Sequence, residues 1–452
     1  MHVWRGIPYA RADRFGAPSP IEYDVARPAT EFGPAAPQPH DGPLGELVPG
    51  MRVGETAEDG CLTLNIWAPP DAAALPVLVW FHGGSFVIGS AAQAVYDGAF
   101  LAQDQQVVVV SVNYRLGALG FLDARPIGGV ANAGVRDALC ALQWVHGHIA
   151  ALGGDPARVV PFGESAGGGL LLHALTAPAA RSLVAGAIIQ SGATFATLDD
   201  DQATLVAETL VKEAAVDDLA ALRTLPVDEL IAAQSRALGA LLPTVGMMPF
   251  HPMIDGDVVT RRPADGLAFD GPLLLGTTAD EMALFVDRTA PAPPRDRLVR
   301  RVARYLGRDD HDAAVVVDAY GAALGTGDTG EIWRAIFGDR EMQVPARAVL
   351  DAHPRSFTYC FTWAGPEVGA CHGIDIPFPF GNFVEGWDAF TGLDADGRGL
   401  SQFIQRSWAE FARRGDPGWS AYPAAMILGR EQFLVPAHPL FSRADALAPS
   451  SI

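Results

Sequence analysis

The segment Gly163-Glu164-Ser165-Ala166-Gly167 constrains this chain more than any other. It follows an apolar run at 159–162, which suits a buried strand, and precedes a Leu- and Ala-rich run at 170–175, which suits a helix. A turn this tight admits only glycine on either side of Ser165, and it holds the serine backbone in strain with Oγ projecting above the sheet. Because the chain has 49 glycines, such a match also arises by chance, so its surroundings decide its meaning.

A second glycine-rich turn lies earlier in the chain. Residues 76–81 form an apolar run that suits a buried strand, and His82-Gly83-Gly84-Ser85-Phe86 follows directly. A serine that attacks a carbonyl needs backbone N–H groups to bind the developing negative oxygen, both from the next residue and from such a turn. We therefore predict that the amides of Gly84, Ser85 and Ala166 form an oxyanion hole. The alternative interpretation of the Gly-Gly pair is an ordinary turn.

Strand-like and helical segments alternate along the chain, which indicates the α/β class with a large, mostly parallel central sheet covered by helices on both faces. The strand-like runs lie at 77–81, 107–112, 159–162, 187–190, 273–276 and 357–361. Two helix-rich segments, 199–239 and 294–350, have few strand signals, and we interpret them as helical excursions that wall the pocket. Apolar content of 49% and the absence of repeats favour a single domain over 1–452.

Taken in order, these motifs resemble the type-B carboxylesterases, the family of bacterial para-nitrobenzyl esterases, animal liver carboxylesterases and cholinesterases. The matching blocks lie at residues 5–10, 32–38, 61–67, 112–117, 132–134, 153–156, 162–168, 190–192, 252–256, 280–281, 372–373, 411–413 and 415–417. The resemblance implies an α/β-hydrolase fold with helical excursions over the active site. It also implies hydrolysis of carboxylic esters through an acyl-enzyme, with no metal or organic cofactor.

The resemblance extends to the acid and the base of a catalytic triad. Serine is a weak nucleophile at neutral pH, so a histidine must take its proton and a carboxylate must hold that histidine. In this fold the chain order is serine, acid, histidine. The family's acid matches Glu281 and its histidine matches His372, whereas Asp280 is interpreted as a surface or helix-start carboxylate.

The chain has eleven histidines, so other candidates for the base must be considered. His82 precedes the serine and matches a supporting position beside the oxyanion turn. His173 lies on the predicted helix behind the serine and is expected to face away or into the core. His146 and His148 are expected on a helix surface. Only His372 combines the chain order, a loop after a strand and the family motif.

Two further positions match residues that support the triad in the family. Ser191 matches a serine that hydrogen-bonds near the acid, although a plain turn serine is the alternative. Glu164, beside the proposed nucleophile, matches a buried glutamate that tunes the site. These two residues are therefore predicted to lie just behind the catalytic groups.

The chain also departs from the family pattern. Secreted relatives carry a cysteine where Ala36 stands, bridged to the cysteine that matches Cys61, so that disulfide is not expected here. The four cysteines have no regular spacing, which argues against a disulfide framework and against a zinc site. An extra glycine before Cys61 puts the family's salt-bridge role of Glu58 or Asp59 in doubt. No Phe, Tyr or Trp occurs in 36–61, the stretch that carries the cation-binding tryptophan of cholinesterases, so choline-type substrates are not expected.

The remaining expectations concern location and partners. The N-terminal segment is shorter than in the family, where a hairpin opens the chain. This difference is expected to remove one or two edge strands of the sheet. No signal peptide and no apolar run of about 18 residues is evident, which makes the cytoplasm the default location and a membrane an unexpected partner. A net charge of −20 also argues against nucleic acid. The expected partner is a small-molecule ester, and the expected assembly is a monomer or weak homodimer.

Two alternative functions stay open at this point. Neuroligin-like relatives of this fold have lost the nucleophile and serve in adhesion, since fold alone does not fix function. The presence of all three triad residues argues against that class. The second alternative keeps the mechanism but applies it to lipids, carbamates or polyesters.

Overall fold

The architecture is that of a large mixed sheet enclosed by helices. The structure, a computed structural model, describes residues 1–24, 27–39, 51, 53–193, 197–287, 290–384 and 386–448. Within these residues, ten strands form one sheet in the order β1-β4-β6-β5-β7-β8-β9-β10-β11-β12, and β2 and β3 form a separate ribbon. The strands are β1 (His2–Pro8), β2 (Ala10–Arg11), β3 (Ser19–Pro20), β4 (Thr63–Ala68), β5 (Leu75–Phe81), β6 (Val108–Val112), β7 (Gly154–Glu164), β8 (Ala187–Gln190), β9 (Leu273–Thr278), β10 (Ser356–Phe361), β11 (Ala425–Leu428) and β12 (Gln432–Val435).

The interior of the sheet is parallel and its margins are antiparallel. Neighbouring strands from β6 through β11 run parallel, whereas β1, β4 and β12 each pair antiparallel with their neighbours. Parallel strands need crossover connections, and in this chain helices supply them on both faces. The predicted α/β-hydrolase fold with a mostly parallel central sheet is confirmed.

Fourteen α-helices are present in the described residues. They are α1 (Ala99–Gln105), α2 (Gly117–Phe121), α3 (Ala133–His148), α4 (Ala166–Ala174), α5 (Asp200–Ala214), α6 (Val227–Leu241), α7 (Arg295–Leu306), α8 (Asp310–Leu324), α9 (Thr329–Gly338), α10 (Val344–Ala352), α11 (Pro377–Phe380), α12 (Trp387–Thr391), α13 (Ala395–Arg414) and α14 (Phe441–Ala444). Among the described residues, no helix combines the length and apolar character needed to cross a membrane.

Alternation along β5 explains how one strand supports two cores. Val77, Val79 and Phe81 belong to a core cluster on one face, and Leu78 and Trp80 belong to a second cluster on the other. Successive side chains of a strand point to opposite faces, so a run of apolar residues indicates a strand buried on both sides. The apolar run at 77–81 is therefore a central strand.

The helix-rich segment at 294–350 builds a third, separate core. Helices α7, α8 and α9 pack around Leu298, Val302, Tyr320, Trp333 and Ile336. The end of this excursion reaches the site, because a Cβ added at Gly338 would lie 3.6 Å from Cβ of Glu281. The 294–350 excursion therefore packs beside Glu281, whereas the described residues that line the pocket at Ser165 come from outside both 199–239 and 294–350.

Three features in which the sequence departs from the family pattern can be followed in the structure: the N-terminal segment, Glu58 and the cysteines. Residues 2–8 form the edge strand β1 although the shortened start was expected to cost edge strands. Glu58 accepts hydrogen bonds from Nε and from a terminal nitrogen of Arg14 at 2.7 and 2.5 Å, so it forms a bidentate ion pair despite the extra glycine. The four cysteines (Cys61, Cys140, Cys360 and Cys371) are all buried and unpaired.

Candidate active site

Ser165 occupies the sharp turn between β7 and α4. Its backbone has φ 54° and ψ −125°, which is a strained conformation for a residue with a side chain. The flanking glycines are required by contact: a Cβ on Gly163 would lie 2.7 Å from the carbonyl carbon of Gly167. A Cβ on Gly167 would lie 2.0 Å from the carbonyl oxygen of Phe81 on β5. The turn therefore places the serine hydroxyl at the carboxyl edge of the central strands.

A continuous chain of hydrogen bonds joins the serine to a histidine and a carboxylate. The Ser165 hydroxyl lies 2.7 Å from Nε2 of His372, and Nδ1 of His372 lies 2.7 Å from Oε2 of Glu281. With the proton on Nδ1, the ring donates to the carboxylate and accepts from the serine. His372 is 7% exposed and Glu281 is 2% exposed. The structure thus brings together the three residues that the sequence predicted as a triad.

The second oxygen of Glu281 is also held. Oε1 accepts a hydrogen bond of 2.7 Å from the Ser191 hydroxyl and one of 2.8 Å from the amide of Thr278. Ser191 therefore contacts the acid, as expected from the sequence. Asp280 points elsewhere: its side chain is about one-third exposed, and its Oδ2 lies 3.8 Å from Nε of Arg334. With both oxygens hydrogen-bonded, the Glu281 carboxylate is fixed in orientation.

Glu164 lies on the other side of the histidine. Its Oε1 is 3.3 Å from Nε2 of His372, the nitrogen that also meets the serine. Burial raises the pKa of Glu164 to about 8, against a lowering by His372, with Asp375 and Glu281 adding to the rise. For His372, burial lowers the pKa, but Glu164 and Glu281 outweigh it and the pKa is raised. Burial thus favours the neutral form of the Glu164 carboxyl group, which lies beside the nitrogen that meets Ser165.

The turn after β5 lies beside the serine, and two of its residues line the same pocket. Gly84, Ser85 and Phe86 have φ values of 112°, 53° and 63°. Glycine is required at 84, because a Cβ there would lie 2.1 Å from the carbonyl oxygen of Ile88. Gly84 and Ser85 line the same pocket as Ser165, and Ala166 begins α4, where helix N–H groups lack intrahelical partners. The three predicted oxyanion-hole residues are thus grouped around Ser165.

The pocket beside these groups is mostly apolar. Its empty volume is about 510 Å³, including its mouth. Apart from the polar groups already described, its walls include Met51, Ile88, Leu284, Phe285, Ile376 and Phe390. The ring of Phe285 is tilted against the imidazole of His372, with centroids 5.6 Å apart. Such a pocket suits an uncharged organic group.

Sequence reasoning missed these pocket aromatics. The expectation against choline-type substrates rested on 36–61, of which residues 40–50 and 52 lie outside the described part of the chain. Phe285 comes instead from the loop after β9, and Phe390 lies on helix α12. Their position in the chain could have indicated these pocket residues, because Phe285 lies four residues after Glu281 and Ile376 lies four residues after His372. The pocket therefore has aromatic rings that the composition of 36–61 alone does not indicate.

The other candidate histidines are occupied elsewhere. His82 is buried, stacks on Tyr114 and has Nδ1 2.8 Å from the carbonyl oxygen of Gly83. His173 is buried on helix α4, behind the turn that carries Ser165, and contacts Gly169 O and Thr197 Oγ1. His148 stacks on Trp144 at the surface. These positions agree with the supporting, core and surface roles predicted for them.

This fold, with a strained serine, a histidine and a carboxylate on successive loops, is that of a serine hydrolase of the α/β-hydrolase class. Comparison with known proteins gives the family: a sequence model of the carboxylesterase family matches residues 1–425, and the chain belongs to that family. It is a serine carboxylic ester hydrolase.

Individual relatives are similar over nearly their whole length. Para-nitrobenzyl esterase of Bacillus subtilis is 34% identical over 449 residues, covering 93% of this chain and 89% of that protein. Phenmedipham hydrolase of Pseudarthrobacter oxydans is 31% identical, covering 95% and 92%. A thermophilic PNB esterase of known structure superposes with a TM-score of 0.84 at 32% identity, covering 98% and 96%.

Proposed function

We propose that this protein hydrolyses uncharged carboxylic esters of short-to-medium chain length through an acyl-enzyme on Ser165. The observation that carries the proposal is the hydrogen-bond chain from Ser165 through His372 to Glu281, which opens onto an apolar pocket. Each contact has the length expected of a relay that moves one proton. The names of the relatives agree with ester chemistry.

In the proposed mechanism Ser165 Oγ attacks the ester carbonyl while Nε2 of His372 accepts its proton. Glu281 holds the Nδ1–H and stabilises the imidazolium. The amides of Gly84, Ser85 and Ala166 bind the oxyanion of the tetrahedral intermediate. His372 then protonates the leaving alcohol, and a water molecule, deprotonated by the same imidazole, releases the acid and restores Ser165.

Replacement of the nucleophile tests the assignment. Ser165→Ala should lower kcat by on the order of 10⁴–10⁶ on a p-nitrophenyl ester, because a triad acts as a unit. Ser182→Ala, at an exposed serine, serves as the control and should keep parental activity. Retention of more than a few per cent of activity in Ser165→Ala, with the fold intact, would refute the assignment. A parent protein with no esterase activity would instead reopen the adhesion alternative.

The substrate class follows from the walls of the pocket. Phe285 and Phe390 supply aromatic surface, and burial favours the neutral form of Glu164, the carboxyl group among the described residues that line the pocket. Quaternary ammonium recognition needs a cation–π partner placed over the charge. We expect a higher kcat/KM for a neutral butyrate ester than for butyrylcholine at matched leaving-group reactivity. A clear preference for the choline ester would overturn this substrate class.

A chain-length series distinguishes the remaining alternative. Rates for p-nitrophenyl acetate through palmitate should peak at short-to-medium acyl chains, because the described pocket is small. A maximum at long chains, with faster turnover of emulsified lipid, would favour a lipase instead. Carbamate and polyester substrates belong in the same comparison.

The setting of the enzyme is part of the same proposal. We expect one domain over 1–452, a monomer or weak homodimer, and no required cofactor. A cytoplasmic location is supported by four buried, unpaired cysteines, since disulfides are typical of oxidising compartments. Dialysis against EDTA should leave the rate unchanged, and loss of activity that zinc or magnesium restores would contradict the cofactor-free mechanism.

A further inference from the structure

Gln190 contacts both halves of the site. It is the last residue of β8 and is 1% exposed. Its main-chain carbonyl accepts a hydrogen bond of 2.9 Å from the amide of Ser165. Its side-chain Nε2 donates one of 2.9 Å to Oδ2 of Asp375, three residues after His372. One residue therefore links the serine turn to the loop that carries the histidine.

The orientation of the Gln190 amide is set by two different partners. The indole N–H of Trp408, on α13, donates to Oε1 at 3.4 Å, which leaves the NH₂ group to face Asp375. A flipped amide would place two donors against each other and two acceptors against each other. The amide therefore acts as a donor to Asp375 and stabilises that carboxyl group in its ionised form.

Asp375 belongs to the charge environment of the histidine. It is 2% exposed, and burial raises its pKa to about 6 while the Gln190 hydrogen bond lowers it. The titratable groups that act on it or face it include His372, Glu281 and Cys371, together with Glu164 from β7 and Tyr359 from β10. An ionised Asp375 favours a proton on His372, and that protonated form arises during catalysis.

We propose that Gln190 is a positioning residue for ester hydrolysis, whose carbonyl fixes the Ser165 peptide and whose amide anchors the His372 loop through Asp375. This inference rests on the Ser165–His372–Glu281 mechanism proposed above. It assigns to the side chain of Gln190 the task of keeping the serine and histidine at reacting distance. Because the carbonyl contact does not involve the side chain, side-chain variants test the links to Asp375 and Trp408 and leave the Ser165 peptide contact in place.

The first experiment compares two buried glutamines. Gln190→Met keeps the side-chain size but removes the donor, and it should lower kcat by on the order of 10- to 100-fold with KM within a few-fold, because small misplacements of reacting groups are costly. Gln405→Met is the matched control: Gln405 is also 1% exposed, lies on α13 and bonds Ser401. It should keep parental kcat. Equal effects of the two changes would overturn the proposal.

A pH series separates positioning from a merely structural role. In Gln190→Glu the new carboxyl group can hydrogen-bond Asp375 only while the pair shares a proton, and above that range the two carboxylates repel. The ratio of variant to parental kcat/KM should therefore fall as pH rises from 6 toward 9. A ratio that stays constant across this range would contradict the inference.

A double-mutant cycle closes the test. Asp375→Ala and Gln190→Met each remove the Gln190–Asp375 hydrogen bond, so the double variant should lose much less than the product of the two single losses. Multiplicative losses would show that Gln190 does not act through Asp375. The outcome is distinguishable from failure of the proposed function, because Ser165→Ala reports on the nucleophile independently of this link.

Discussion

Two adjacent carboxylates, Asp280 and Glu281, have opposite environments. Glu281 is buried and bonded to three groups, whereas Asp280 is partly exposed near Arg334. Glu281→Gln should lower kcat about 10³- to 10⁴-fold, because the amide neither stabilises the imidazolium nor fixes its tautomer. Asp280→Asn, the matched neighbour, should stay within a few-fold of the parent on the same ester. Greater sensitivity at Asp280 would move the acid assignment by one residue.

Burial of Glu164 in the site lowers the free energy of unfolding at neutral pH. Its pKa rises from 4.5 to about 8 because burial disfavours the charged form. The unfolded chain therefore releases this proton at lower pH than the folded protein, so the free energy of unfolding falls between these two values as pH rises. Glu164→Gln removes that loss and should stabilise the protein by about 1–3 kcal/mol at pH 7, and hardly at all at pH 4.

Urea unfolding at the two pH values measures this effect on Glu164. An equal gain at both pH values would mean that the stabilisation does not come from the titration. A loss of stability at pH 7 would mean that the carboxyl group makes a hydrogen bond that the amide cannot replace.

At the scale of elements, the contact between α4 and β5 decides whether the serine turn forms. Gly167→Ala places a methyl group 2.0 Å from the carbonyl oxygen of Phe81, so it should cost about 3 kcal/mol or more of unfolding free energy. Gly147→Ala is the control within helix α3, where the added Cβ meets nothing within 4 Å. It should stabilise by about 0.5–1 kcal/mol. Thermal unfolding of both variants measures the contrast, and a destabilised Gly147→Ala would contradict the helix argument.

Elements differ in how far the sequence predicts them. The central strands, such as the apolar run at 77–81, are predictable because burial on both faces demands continuous apolar residues. The triad is predictable because each member lies in a local motif after a strand. Phe285 at the pocket and the contact from Gln190 to Asp375 are not, since they depend on how loops distant in the chain meet. Edge strand β1 was also missed, because an edge strand carries a weaker apolar pattern.

At the scale of the whole molecule, charge is unbalanced. The chain carries 52 acidic and 32 basic residues, a net charge of −20. Self-repulsion of this kind destabilises a compact state, and salt screens it over about 10 Å at 0.1 M. The midpoint of thermal unfolding should therefore rise when NaCl increases from 10 to about 200 mM. A fall would show that screened ion pairs, such as Arg295 with Asp318, contribute more than the repulsion.

The four buried cysteines have a practical consequence for attaching probes. Burial raises the pKa of Cys140 to about 11 and those of Cys61 and Cys360 to about 12, and it also raises that of Cys371. The thiolate is the species that reacts with maleimides, so the native protein should be nearly inert to them. A cysteine introduced at Gly239, exposed on α6 with open space around its Cβ, would then take a dye, a spin label or a solid support at one defined point. The enzyme could thus be immobilised in a single orientation without first removing a native thiol.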